Sequence, residues 1–90
     1  MSLERFLQSE DESPIGNVND VLGAILAKFP ESDQEESLMV AVRVDGEHIA
    51  DLYALCSKDN VVVGFNMLGD NDSVVVDFLV EKFGVEELDM

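Results

Sequence analysis

The sequence predicts an α+β fold, with two N-terminal helices, a three-stranded antiparallel β-meander and a C-terminal helix packed on the sheet. Three observations predict it. The stretch Ser37–Leu68 holds three apolar runs, Leu38–Val44, His48–Cys56 and Val61–Leu68, separated by Asp45-Gly46 and by Ser57-Lys58-Asp59-Asn60. Valine-rich runs punctuated in this way read as hairpin-connected strands. Val18, Val21, Leu22, Ile25, Leu26 and Phe29 form one continuous stripe at helical spacing, and Val76, Leu79, Val80 and Phe83 form a second.

Taken in order, Leu3, Phe6 and Leu7 fall at i, i+3 and i+4, which predicts a first helix over Ser2–Ser9 of two turns. Residues 10–17 read as an acidic linker, since Glu10, Asp11 and Glu12 repel one another and Pro14 turns Ser13 away from helical angles. The second helix starts at its cap Asn17, carries Asp20 in its first turn and Lys28 in its last, and stops before Pro30. Glu31 to Glu36 reads as a solvated acidic loop.

Two registers compete at Asp45-Gly46. A strict two-residue turn would pair Val40 with Asp51. One added residue pairs Val44 with His48, Val42 with Ala50 and Val40 with Leu52. Burial favours the second, which puts Leu38, Val40, Val42, Val44, Ala50, Leu52, Ala54 and Cys56 on one face and Met39, Arg43, Glu47, Ile49, Asp51 and Tyr53 on the other. The third run is apolar on both sides, so it requires a central position, a cover, or a strand from a second chain. The last helix follows the cap chemistry of Asp70-Asn71-Asp72-Ser73 and ends at Gly84, with Val85 as the apolar contact of a Schellman cap. Residues 85–90 read as a frayed acidic tail. The expected core is Leu22, Ile25, Leu26, Phe29, Val40, Val42, Leu52, Val63, Phe65, Leu79 and Phe83.

Residues 1–90 are thus read as one small acidic domain. Twenty acidic residues against five basic ones give a net charge of −15, where a small soluble domain usually carries about 2–8 in magnitude. That charge opposes direct binding to nucleic acid or to an anionic membrane, since both need Lys and Arg. No apolar stretch reaches the roughly 18–20 residues needed to span a bilayer, and the N-terminus lacks a signal-peptide pattern. A cytoplasmic location is expected.

No catalytic constellation, cofactor motif or metal cluster emerges, so an enzyme is the least supported class. Counted from Asp70, positions five and six of a calcium loop would be Val74 and Val75, which cannot supply the pattern. His48 and Cys56 lie about 26 Å apart at strand rise and cannot pair. Cys56, beside Ala54 and Leu55, reads as a small core residue rather than a nucleophile. What remains is a set of candidate partner-binding residues: Glu31, Asp33, Glu35 and Glu36 before the sheet, Glu47, Asp51 and Tyr53 on it, and Asp70 and Asp72 after it.

In composition and element order the chain resembles small acidic inhibitors of phage and plasmid type, nucleic-acid mimics and anti-CRISPR proteins among them. The resemblance rests on no specific residue. It implies a non-catalytic protein whose carboxylates take the Lys and Arg side chains of a basic, nucleic-acid-binding partner. The alternative is a chaperone-like or structural module that grips partners through the sheet face bearing Met39, Ile49 and Tyr53. A salt-adapted housekeeping protein is a third reading. Unpaired edges at Val61–Val63 or Leu38–Val44 also point to a homodimer, opposed by the charge on each copy.

Overall fold

A computed structural model describes residues 3–9, 14–69 and 72–87. Its elements in chain order are β1 (Leu3–Ser9), β2 (Gly16–Asn17), α1 (Val18–Lys28), β3 (Asp33–Glu36), β4 (Met39–Val44), β5 (Glu47–Cys56), β6 (Val61–Gly69), α2 (Ser73–Phe83) and β7 (Val85–Glu87). All the strands join one antiparallel sheet in the order β3-β4-β5-β6-β1-β7, with β2 pairing β6 beside β1. The expected architecture of two N-terminal helices and a three-stranded meander is therefore overturned. Among the described residues the sheet has seven strands, and of the two helices only α1 lies in the N-terminal part.

Both helices form where the apolar stripes predict. Asn17 caps α1 by accepting the Asn19 N–H at 2.9 Å, and Val21, Leu22 and Ile25 are buried. In α2 the run Val74-Val75-Val76 is helical, and left-handed Gly84 (φ 68°) closes the helix by donating to the Val80 carbonyl.

The segment 3–9 departs from its helical reading. Leu3, Phe6 and Leu7 fit a helix, but an extended chain also accommodates them, with Leu7 buried and Phe6 on the opposite face. Alone, a two-turn helix is marginal in water. As a strand, the segment pairs with β6 from Leu3–Gly69 to Gln8–Gly64 and satisfies that strand's second row of backbone groups. Of the alternatives left open for the third apolar run, β6 takes the central position, within this chain. It lies between β5 on one side and β1 and β2 on the other.

The acidic loop and the acidic tail are partly strands as well. Asp33–Glu36 pairs with β4 as an exposed edge, and Val85–Glu87 pairs with β1 at the other edge. Of the two segments read as edges, Leu38–Val44 is paired by β3, and Val61 and Val62 are paired by β2, so neither is left as a bare edge. Of the linker at 10–17, Gly16 and Asn17 form β2. Residues 10–13 and 88–90 lie outside the described residues.

At the β4–β5 hairpin the structure combines the two registers. Asp45 (φ 53°) and Gly46 (φ 81°) both adopt positive φ, as a tight two-residue turn of type I′ requires, and Val44 faces Glu47. Beyond a bulge, Val42 pairs with Ala50 and Val40 with Leu52, the register that burial demands. Ile49 absorbs the extra residue and turns inward, 8% exposed, instead of standing beside Tyr53 as expected. A second bulge, at Leu55/Cys56, displaces Val63 from the core face. Leu38 stays at the surface, 36% exposed.

Both helices pack on one sheet face, where Ile25, Leu79, Val40, Val42, Leu52, Phe65 and Met67 are fully buried. Leu26 and Phe83, expected in the core, are only partly buried against it. An aromatic chain ties the layers together. Phe29 of the α1 cap meets Phe78 edge-on at 5.6 Å, Phe78 meets Phe83 at 6.0 Å, and Phe83 meets Phe65 of the sheet at 5.8 Å. Such pairs each contribute about 0.5–1.5 kcal/mol beyond the area they bury. No helix among the described residues is long and apolar enough to cross a membrane.

Candidate functional site

The acidic candidates divide according to what the fold does with them. Six of them, with Tyr53, gather where β3, β4 and β5 lie side by side. Asp33 faces Ala41, which faces Asp51, in one cross-strand row, and Glu36, Met39 and Tyr53 form another. Glu35 sits at the β3 bulge between them, while Glu31 and Glu47 lie at the hairpin turn. All four residues of β3 are exposed. An edge strand made of carboxylates also resists pairing with another chain's strand.

Inside this group the carboxylates differ in availability. The two oxygens of Glu31 accept the N–H groups of Asp45 and Gly46 at 3.0 and 2.9 Å, so Glu31 clamps the hairpin turn from the preceding loop. Next to it, the Ser32 hydroxyl oxygen accepts the Arg43 N–H at 3.0 Å. Asp33 lies 3.5 Å from the Arg43 guanidinium. Asp51 accepts a hydrogen bond from His48 Nε2 at 2.7 Å, which places His48 beside a carboxylate on its own strand. Glu35, Glu36 and Glu47 make no ion pair among the described residues. Glu31→Ala should cost about 1 kcal/mol, the ordinary net worth of such hydrogen bonds at an exposed site. Faster amide exchange at Asp45 and Gly46 would accompany the loss in a urea titration, and unchanged exchange there would contradict the clamp.

Asp72 departs from the sequence reading. It is 3% exposed, and its carboxylate accepts from Arg5 Nε at 2.9 Å. It precedes α2 without a side-chain capping bond, and its main-chain oxygen instead accepts the Val75 and Val76 N–H groups at 3.0 Å. A buried, ion-paired carboxylate cannot serve as a surface contact. Arg5 also donates from Nη1 to Glu87 at 2.8 Å, and the Asp72 bond, then the Glu87 bond, hold its guanidinium above its ordinary pKa. Asp70 lies outside the described residues.

Among the described residues no group of three His, Cys, Asp or Glu side chains could hold a metal ion. Cys56 is partly buried, and desolvation pushes its thiol pKa up, which disfavours the nucleophilic thiolate.

The sequence reading missed residues that the strand form of 3–9 brings to the surface away from the helices. Phe6 faces Asn66, and Glu4 faces Leu68. Residues 3–8, Leu-Glu-Arg-Phe-Leu-Gln, carry no polar/apolar alternation, so no local signal marks this strand, and the spacing of Leu3, Phe6 and Leu7 favours the helical reading. In comparisons with protein-family models, curated proteins and solved structures, nothing matches this chain.

Proposed function

We propose that this chain is a non-catalytic binding protein whose acidic β3 side occupies a basic, nucleic-acid-binding site on a partner protein, acting as an inhibitor in the cytoplasm. The observation that carries this reading is β3 itself. It is an exposed sheet edge with carboxylates at Asp33, Glu35 and Glu36, of which, among the described residues, only Asp33 has a cation beside it. Of the other cations, Lys58 is exposed in the turn between β5 and β6, at the far end of β5 from the Asp45-Gly46 turn. Arg5 is engaged by Asp72 and Glu87, and Lys28 and Lys82 line a cleft between the helices, Lys28 also bordering a hollow beside Glu31 and Arg43.

Carboxylates along an extended edge offer Lys and Arg the partners that phosphates would otherwise supply. The mechanism is competitive occupancy, with charge complementarity accelerating the encounter. The test is capture of partners from host lysate at low salt on the immobilised protein, eluted by a salt step and separately by DNA. Nucleic-acid-binding proteins released by both are the expected result. Reversing Glu35 and Glu36 to Lys should slow association about tenfold or more at low salt while leaving the melting temperature nearly unchanged. Recovery of no basic protein, or binding indifferent to salt, overturns the reading.

A further inference from the structure

The sheet has a second face, opposite the helices, whose side chains are identified by its pairings. Phe6, Asn66, Tyr53 and Met39 stand in one row across β1, β6, β5 and β4. Leu55 faces Gly64 in the row to one side, and Leu68 faces Asp51 in the row to the other. The middle of this face is therefore largely apolar, and Leu55 is 40% exposed.

In the Leu55–Gly64 row is a hollow of about 120 Å³ between Phe6, Gln8, Leu55 and Val63, floored by Gly64. A side chain cannot fill it from below, because a Cβ on Gly64 would stand 2.8 Å from the Leu7 carbonyl oxygen. Cavities of about 150 Å³ with apolar walls take a benzene ring. This one is sized for a single large apolar side chain.

The rim of the face is acidic. Glu4 lies beside Leu68, Glu86 opposite Gln8, and Glu36 opposite Met39. Arg43 is matched by Asp33 at 3.5 Å.

We propose that this face docks a basic amphipathic helix of the partner protein. One Leu, Met or Phe of that helix seats over Gly64, its neighbours lie along the Phe6–Tyr53–Met39 row, and flanking Lys or Arg side chains meet Glu4, Glu36 and Glu86. The occupant follows from charge and from shape. The opposite face of the same sheet already carries two helices, and helix-in-groove binding uses apolar anchors at helical spacing. A second copy of this chain would bring −15 against −15, and nucleic acid or an anionic membrane is repelled in the same way. The inference rests on the reading that the partner is basic, and it adds the surface and the apolar half of the recognition.

The test is titration of the ¹⁵N-labelled protein with three synthetic peptides. The first is a Leu/Lys peptide with its leucines on one helical face, the second has the same composition scrambled, and the third has the first pattern with Gln for Lys. Expected are amide shifts concentrated on β1, β5 and β6, and affinity for the scrambled peptide lower by about tenfold or more. Leu55→Glu, at an exposed position, should weaken the first peptide to a similar degree while the melting temperature is retained. Equal binding of the scrambled peptide, or shifts confined to β3, overturns the docking face and leaves the acidic reading standing. Equal binding of the Gln peptide overturns the basic partner, and with it both proposals.

Discussion

Leu79→Ala is expected to lower the stability of this protein by about 2–5 kcal/mol, with Phe29→Ala costing about 3–5 kcal/mol. Leu79 is fully buried where α2 meets the sheet, and Phe29 is 4% exposed at the end of α1. Truncating either removes apolar contacts and leaves a cavity that the antiparallel sheet, fixed by its ladders, can close only in part. Phe29 additionally loses its edge-on contact with Phe78, the first link of the aromatic chain to Phe65. For a domain of this size each kcal/mol moves the melting temperature by roughly 4–8 °C. Urea denaturation with an unchanged m-value would attribute the loss to the native core. A cost under about half a kcal/mol at both positions is incompatible with two helices sharing one core face.

Arg5→Met is expected to cost about 3 kcal/mol, because it strands a buried carboxylate. Arg5 points from β1 toward the helix side of the sheet, where its Nε meets Asp72, 3% exposed, and its Nη1 meets Glu87. One guanidinium thus connects β1, the start of α2 and β7. Most of the cost lies in Asp72, since the Glu87 carboxylate is 41% exposed and such surface pairs are worth about 0–1 kcal/mol. The distinguishing measurement is a double-mutant cycle. Arg5→Met together with Asp72→Ala should be less damaging than the sum of the two, by about 1–3 kcal/mol. Additivity within about half a kcal/mol would mean that the pair is not coupled in solution. The same experiment tests the strand form of 3–9, because a helix there would not carry Arg5 to this position.

Several elements were legible because their signals are local. The stripe from Val18 to Phe29, the cap at Asn17 and the stop at Pro30 all lie within the helix they define, and so do the stripe and glycine cap of α2. Asp45-Gly46 specifies a tight turn by backbone preference alone. The valine row of β4 and the matching row of β5 set their pairing, although the bulge that reconciles the row with the turn was invisible. Of the candidate contact residues, those on β3 and β5 proved to be neighbours only because β4 lies between them.

What the residues determined by themselves is therefore the two helices, the three central strands, the turn between two of them and the net charge. Each follows from periodicity, capping or composition within a short stretch. Only the tertiary structure decided that Leu3–Ser9 is extended, that Asp33–Glu36 and Val85–Glu87 close the sheet at its edges, and that Asp72 is buried against Arg5. The reason is physical. Both sides of β6 carry backbone hydrogen-bonding groups and apolar side chains that must be covered. The segment that covers its second side comes from some sixty residues away in sequence, as in the Phe6–Asn66 pair. Its own spacing is compatible with two conformations, and the unpaired edge of β6 selects between them.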